Sequence, residues 1–401
     1  MLNLKWLHYC YIFLTFGALL PMLINGPSDF RDFVENRSQL LNITYLLASF
    51  AYVFLFINSL KINRKHFLAI FYPTLLALLA LLSVFWSTAP TRSFFIGYFL
   101  LSQIIAILFI LKTMSYEDFF EALSKLAFIT CILCVVFIIV IPSYGKMTYV
   151  FPGAWQGVFI HKNVLGRFAV FSFSLALILV TYRKNIYSYS FLMVSSILIV
   201  GCGSATALLG MFFILLTFIS LKNIKLFYIF LVGFCVLIGF SFFFIDQILI
   251  LLSTNFDKSI TLSGRTILWE QVLININSKP LLGYGMGAFW GTQDAENIRL
   301  ILQWFVPHAH NGMLEIMLQL GWIGGGLFLL CFLIGAKRSV LFYQNNTSKY
   351  IEWPILFFVF FVHYGLGEAN YMRPNSFVQL VFVLLIAYTS KYYLERKTNF
   401  E

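Results

Sequence analysis

Charge is scarce in this chain: only 11% of its 401 residues are Asp, Glu, Lys or Arg, about half the share usual in soluble domains. So few polar side chains could not cover the core of a water-soluble fold, which excludes that class. Several chemical signatures are missing as well. There is no G-x-x-x-x-G-K-[ST] loop, which argues against ATP as an energy source, and no G-x-S-x-G nucleophile elbow. No Asp-x-Asp pair or metal-spaced histidine cluster is present; His308 and His310 lack a third ligand, so no metal or other cofactor is expected. Internal repeats and low-complexity tracts are absent. The formal net charge of +11 is not organised as a basic stripe between exposed aromatics, so nucleic acid is not an expected partner. Six cysteines (Cys10, Cys131, Cys134, Cys202, Cys235, Cys331) all lie in apolar runs. Cys131-x-x-Cys134 has no second pair nearby and reads as two inert buried thiols.

Apolar residues dominate instead, at 60% of the chain with 19% aromatic. A helix needs roughly 20 apolar residues to cross about 30 Å of hydrocarbon. Reading apolar runs against polar breaks predicts an all-α polytopic integral membrane protein with twelve spans: 5–24, 39–60, 67–85, 93–111, 125–142, 164–181, 187–202, 205–221, 226–246, 313–334, 351–367 and 376–391. Only Gly201-Cys202-Gly203-Ser204 separates the seventh from the eighth, so a count of eleven or thirteen is within reach. With both termini cytoplasmic, the inner segments, taken with the span-edge residues Lys5, Lys125, Lys391 and Glu352, hold 16 of the 27 basic residues and 6 of the 16 acids, a net of +10 against +1 elsewhere. Lone Lys5, with no small-residue cleavage site behind it, makes the first span a retained anchor.

The chain divides into N-terminal spans over 1–246, one long outer loop over 247–312, and C-terminal spans over 313–401. The loop is too polar to span and too long to be a passive connector. Within it Ile267, Leu268, Val272, Leu273 and Ile276 recur at helical spacing between Ser263 and Pro280, predicting an amphipathic helix along the membrane surface. A glycine-rich turn, Leu281 to Gly287, follows.

The concentrated polar chemistry sits in this loop. Arg265 falls in the first turn of the amphipathic helix, and a guanidinium can hold two phosphate oxygens at once. His308 and His310 precede the helix that opens span 313–334, which Asn311 or a neighbour would cap. Free amides and partial positive charge at that N-terminus suit a phosphate and keep a nearby histidine neutral and able to act as a base. The bland alternative is two solvated histidines and a snorkelling arginine. A second polar set, His161-Lys162-Asn163 and Arg167, lies on the same side. An arginine a turn into a span is expensive unless it faces a polar cavity. A third, Glu368, Asn370 and Arg373 with His363 in the span before, reads as interhelical polar contact rather than catalysis.

These residues carry a resemblance. His310-Asn311, nine residues, Gly321, two residues, Gly324 is similar to the His-[Asn/Ser/Gln]-x9-Gly-x-x-Gly pattern of the O-antigen ligase family, which includes O-antigen and exopolysaccharide polymerases. Ser263-Gly264-Arg265 through Trp269, with Pro280 to Gly285, resembles the arginine-bearing part of the same loop. Gly157 to Gly166, containing His161-Lys162-Asn163, resembles a motif of the exopolysaccharide branch, and Ser83-x-x-Trp86-Ser87-x-x-Pro90 resembles the family's early outer loop. The resemblance covers roughly residues 80–330.

Membership would imply a metal-independent transferase of the bacterial inner membrane, working at the periplasmic face. Its donor would be a glycan on undecaprenyl diphosphate and its acceptor lipid A-core, another saccharide or a protein, with a chain-length regulator or flippase as further partners. Carried onto this chain, His310 would activate or position the acceptor hydroxyl and Arg265 would bind the diphosphate. Arg167 is the candidate second arginine, with His161 and Lys162 able to share its role and Asn311 next to the base; His308 has no constant counterpart in the family. The His-Lys-Asn segment leans the reading towards polymerase over ligase. Two other classes compete. A transporter of about twelve spans predicts broken helices, mid-membrane charges and internal symmetry, and a non-catalytic assembly partner predicts dispensable loop histidines.

Overall fold

The computed structural model describes residues 4–18, 39–58, 64–148, 151–223, 265–303 and 305–398, with five isolated positions between 225 and 233. Among the described residues the regular elements are helical, with one isolated antiparallel bridge between Lys146 and Trp155. In chain order they are α1 (Leu4–Thr15), α2 (Gln39–Asn58), α3 (Arg64–Ala69), α4 (Phe71–Leu82), α5 (Pro90–Thr113), α6 (Tyr116–Val140), α7 (Pro142–Gly145), α8 (Lys162–Tyr182), α9 (Ile186–Gly201), α10 (Ala205–Lys222), α11 (Arg265–Ser278), α12 (Gln293–Leu302), α13 (Gly312–Asn345), α14 (Trp353–Gly367) and α15 (Phe377–Thr398). Short 3-10 turns at Ser83–Phe85 and Phe289–Gly291 complete the set.

The chain is an all-α polytopic membrane protein. Six helices (α5, α6, α8, α10, α13 and α15) are long and apolar enough to cross a bilayer, and shorter apolar helices occupy Ile43–Leu55, Phe71–Phe85, Ile186–Gly201 and Trp353–Gly367. A helix satisfies its own backbone groups, which lipid demands, and polar side chains inside it bond back to the preceding turn. Ser124 Oγ donates to Phe120 O at 2.8 Å and Thr130 Oγ1 to Leu126 O at 2.9 Å. Ten of the twelve expected spans coincide with apolar helices. The first expected span is helical over Leu4–Thr15. Span 226–246 and loop residues 247–264 lie outside the described residues, apart from the isolated positions.

The differences have local causes. Expected span 67–85 is broken at Ile70, which leaves the helical region (φ −113°, ψ 13°); Pro73 has no N–H to donate, and its ring crowds the carbonyl of Ala69. Helix α6 starts at Tyr116, earlier than hydropathy indicates, because the Ser115 side chain accepts from Asp118 N at 3.1 Å and Glu117 and Asp118 favour the dipole. Of the cysteines, Cys10 is exposed whereas Cys131, Cys134, Cys202 and Cys331 are buried and unpaired; Cys235 lies outside the described residues.

Helix α13 contains the break that organises the fold. Gly321 sits at φ 65°, ψ −166° inside it, a backbone region essentially confined to glycine. The break frees the N–H groups of Trp322 and Ile323 and the carbonyls of Leu318 and Gln319, which an unbroken helix would pair with one another. The glycine-rich turn takes all four. Trp322 N donates to Pro280 O (2.7 Å), Ile323 N to Leu281 O (3.3 Å), Tyr284 N to Leu318 O (3.1 Å) and Gly285 N to Gln319 O (2.9 Å). A methyl group on Gly321 would collide with the Leu281 backbone, and one on Gly283 with the Gln319 backbone.

The early loop clasps the turn from its other side. Trp86 Nε1 donates to Leu282 O (2.9 Å), Met286 N to Ser83 Oγ (3.0 Å), Ser93 Oγ to Met286 O (2.8 Å) and Thr88 N to Tyr284 O (3.2 Å). Three stretches far apart in sequence thus meet at one end of the bundle. The opposite end is tied by Tyr116 OH to Tyr350 O (2.7 Å) and by an Arg183–Glu121 ion pair.

Gly321→Ala should lower stability by about 1–3 kcal/mol through backbone strain alone, with the collision added. Gly326→Ala, where a methyl group meets nothing within 4 Å, should leave thermal unfolding in detergent nearly unchanged. Equal melting temperatures for the two variants would show that the break does not hold the turn.

Candidate active site at one end of the bundle

Residues 305–311 form the loop that carries both histidines, and its path is set by helix α13. Asn311 caps that helix, its Oδ1 accepting from Met313 N (3.0 Å) and Leu314 N (3.1 Å). The cap, expected from the sequence, occupies two of the amides at this N-terminus. Glu315, in the first turn and buried, accepts from Ala309 N (2.7 Å) and Trp290 Nε1 (2.9 Å) and also bonds Gln319 Nε2. Gln319 Oε1 in turn accepts from Gly287 N at 3.0 Å. A single polar string along α13 therefore connects the glycine-rich turn to the histidine loop. Sequence reasoning passed over Glu315; its signal is a lone acid one turn into an apolar helix.

Helix α11 forms where helical spacing predicts it, but Leu268, Val272 and Ile276 pack with Ile298 and Leu318 in the protein interior. Three of the five apolar positions assigned to the membrane surface are thus used against α12 and α13, while Ile267 and Leu273 stay exposed. Trp269 Nε1 donates to Ala309 O (2.9 Å), fastening α11 to the histidine loop one turn beyond Arg265. Helix α12, unforeseen from the sequence, supplies Arg299, which donates to Trp290 O (2.9 Å) and Val306 O (3.2 Å).

His310 adopts the left-handed conformation at φ 50°, which costs a non-glycine residue roughly 1–2 kcal/mol. It persists because the flanking bonds to Glu315 and Trp269 hold Ala309 on both its N–H and its carbonyl. His310 N donates to His308 Nδ1 at 3.3 Å, and the two rings lie 4.2 Å apart between centroids.

The third polar set makes the interhelical contact expected of it and also lies beside the histidines. Glu368, just past α14, places Oε2 4.0 Å from His308 Nε2, and both side chains stay about a fifth accessible. Arg167 Nη1 donates to Asn370 Oδ1, while Arg167 Nε and the buried Asn370 Nδ2 have no hydrogen-bond partner among the described residues. Arg265 Nη1 lies 3.7 Å from where a methyl group on Gly367 would sit, and Arg373 is exposed at the rim. His308, His310 and Glu368 bring one ligand atom each within 4.8 Å of one another, a donor set that zinc accepts. The histidine pair thus does have a third ligand within reach, from a loop its sequence neighbourhood does not reveal.

Electrostatics follow from this crowding. Burial, helped by Arg265, lowers the His310 pKa to about 4. Burial, then His310 and the three guanidiniums, holds His308 well below the ordinary histidine value. Burial raises Glu368 above the usual carboxylate range although Arg167, Arg265 and Arg373 oppose it. Both imidazoles are therefore neutral at pH 7.

The other candidates lie apart from this group. His161 caps α8, its Nδ1 accepting from Asn163 N at 3.1 Å. Lys162 Nζ lies 3.9 Å over the Phe151 ring and donates to Gly203 O at 3.3 Å. His363 bonds Thr206 O at 2.8 Å, an interhelical contact as expected.

Glu315→Ala should destabilise the protein by about 1–3 kcal/mol for each buried donor it strands, and a lowered unfolding temperature in detergent would register it. Asn311→Ala should cost about 1 kcal/mol as a lost cap. Wild-type melting in Glu315→Ala would mean that the histidine loop is anchored elsewhere.

Comparison with known proteins finds similarity over the segment that carries the histidine loop. Residues 189–329 match the family model described as O-antigen ligase. The chain is 26% identical over 319 residues to the exopolysaccharide production protein ExoQ of Rhizobium meliloti (strain 1021), covering 75% of this chain and 70% of that one. It is 29% identical over 135 residues to the ComP-specific O-oligosaccharyltransferase of Acinetobacter baylyi, and 30% identical over 119 residues to the general O-oligosaccharyltransferase of the same organism. Those two matches take in 31% and 28% of this chain but only 23% and 20% of the oligosaccharyltransferases. The segment that seats the His310-to-Gly324 motif on the broken helix is thus similar to the O-antigen ligase family.

Proposed function

We propose that this chain is an inner-membrane glycosyltransferase that moves a glycan from undecaprenyl diphosphate to a saccharide acceptor at the extracytoplasmic face. The observation that carries the proposal is the gathering of Arg265, Arg167 and Arg373 around two neutral imidazoles at one end of the bundle. Fixed positive charge suits a diphosphate leaving group, and a neutral imidazole can take one proton. Lysine and arginine concentrated in the segments at the opposite end support an extracytoplasmic site. No ATP is needed there, because the phosphate-linked donor carries its own driving force.

In this mechanism the acceptor hydroxyl gives its proton to His310 as its oxygen bonds the anomeric carbon. The bond from that carbon to the phosphate oxygen breaks, and its electron pair leaves on the diphosphate. Arg265 and Arg167, with the Asn370 amide, receive the growing negative charge. A saccharide acceptor is favoured because a match over 319 residues is with an exopolysaccharide production protein and the His161-Lys162-Asn163 segment points to the same branch. The transporter reading lacks support, since the ionisable cluster lies at one end of the bundle rather than near its middle.

Arg265→Ala and His310→Ala should each cut glycan transfer at least about 100-fold in membranes holding wild-type amounts of protein. Wild-type product in both variants would overturn the proposal. The pH dependence has a definite sign. A base with its pKa lowered to about 4 is lost only as pH falls towards that value, so transfer should hold from neutrality down to about pH 5. An acid limb at the ordinary histidine value, near 6.5, would contradict the neutral-imidazole assignment.

A further inference from the structure

The mechanism leaves His308 and Glu368 without a task, although both are recessed in the cluster. Their geometry is specific. Because His308 Nδ1 accepts from the His310 backbone N–H, the proton of the neutral ring belongs on Nε2, and Nε2 faces Glu368 Oε2 at 4.0 Å. The other side of the His308 ring lies against His310. The three side chains form a short file from acceptor base to carboxylate.

Two chemistries suit such a file. A divalent cation could be held by the three donors, but Arg167, Arg265 and Arg373 surround Glu368 and His308. With one carboxylate against three guanidiniums, the surroundings are already positive, which opposes a further dication. The same charges oppose an imidazolium on His310, and that species must form when the acceptor proton is taken. Glu368 faces the histidine pair and can offset it, whereas Glu315, the other acid near this loop, is already bonded by Ala309 N, Trp290 Nε1 and Gln319 Nε2.

Resting on the transfer reaction proposed above, we infer that Glu368, acting through His308, is the positioning residue and counter-charge for the imidazolium that forms on His310. As the acceptor O–H proton moves to His310, the His308 Nε2–H donates to Glu368, orienting the His308 ring against the cation. The proton later leaves from His310 to the departing diphosphate or to water, restoring the starting state. Glu368 lies beyond residues 189–329, the segment that matches the family model, so the resemblance itself did not point to it.

The test measures steady-state transfer from a polyprenyl-diphosphate glycan by purified wild type, Glu368→Gln, Glu368→Asp, His308→Gln and the Glu368→Gln/His308→Gln double variant, with melting temperatures alongside. Glu368→Gln should lose roughly 100-fold in kcat, with KM for the lipid donor within about twofold and unfolding unchanged. Glu368→Asp should recover part of the loss. The double variant should be no slower than the worse single variant, since both act on one unit. Full kcat in Glu368→Gln overturns the inference, as do multiplicative losses in the double variant, or a loss carried by KM or by unfolding. If Glu368→Gln does not fold, the His308→Gln split between kcat and KM decides alone. Loss of wild-type activity on chelation, with a stoichiometric metal missing from Glu368→Gln, overturns it in favour of a metal centre. An inactive wild type would instead sink the transfer reading, which keeps the two failures distinct.

Discussion

Four backbone hydrogen bonds exchanged at Gly321 hold this end of the molecule in place. A helix in lipid has no water to satisfy a broken turn, so the freed groups of Leu318, Gln319, Trp322 and Ile323 need partners from the protein itself. The Pro280–Gly285 segment supplies them, and in doing so its own irregular backbone is satisfied at the edge of the bundle. Neither partner is stable alone: the turn has no internal ladder, and the helix has an open break. Their pairing ties the segment that follows α11 to the middle of α13, and so relates Arg265 to the histidine loop.

On that frame the charged groups become intelligible. Three guanidiniums in one cluster repel one another. Glu368 offsets part of that charge, while Asn370 accepts from Arg167 and keeps an amide donor available. An array with more positive than negative charge, beside imidazoles held neutral, is poised for an anionic ligand that brings the missing negative charge. The strained His310 backbone fits the same logic, because strain tends to persist at working positions that surrounding bonds over-determine.

The spans were legible because lipid imposes length and composition on every crossing helix, and Arg265 and His310 were legible because they share one polar loop. Arg167 stood out as a charge placed a turn inside an apolar run. What escaped sequence reading was non-local. Glu368 meets His308 only because α14 ends beside the start of α13, and nothing in the neighbourhood of either residue states that. Helix α12 escaped for the opposite reason: its ten residues bury little besides Ala295 and Ile298, too sparse a stripe to register. At the start of α13 the expected Asn311 cap uses two of the amides that the same reading left for a phosphate.

The central claim is that the guanidinium cluster holds a polyprenyl diphosphate beside a neutral base. Its most direct measurement is equilibrium binding of a short-chain prenyl diphosphate to the purified protein in nanodiscs. The account predicts that Arg265→Ala weakens binding at least about tenfold, or 1.4 kcal/mol, whereas His310→Ala stays within about twofold of wild type. Unchanged affinity in Arg265→Ala, or an equal loss in His310→Ala, would contradict it.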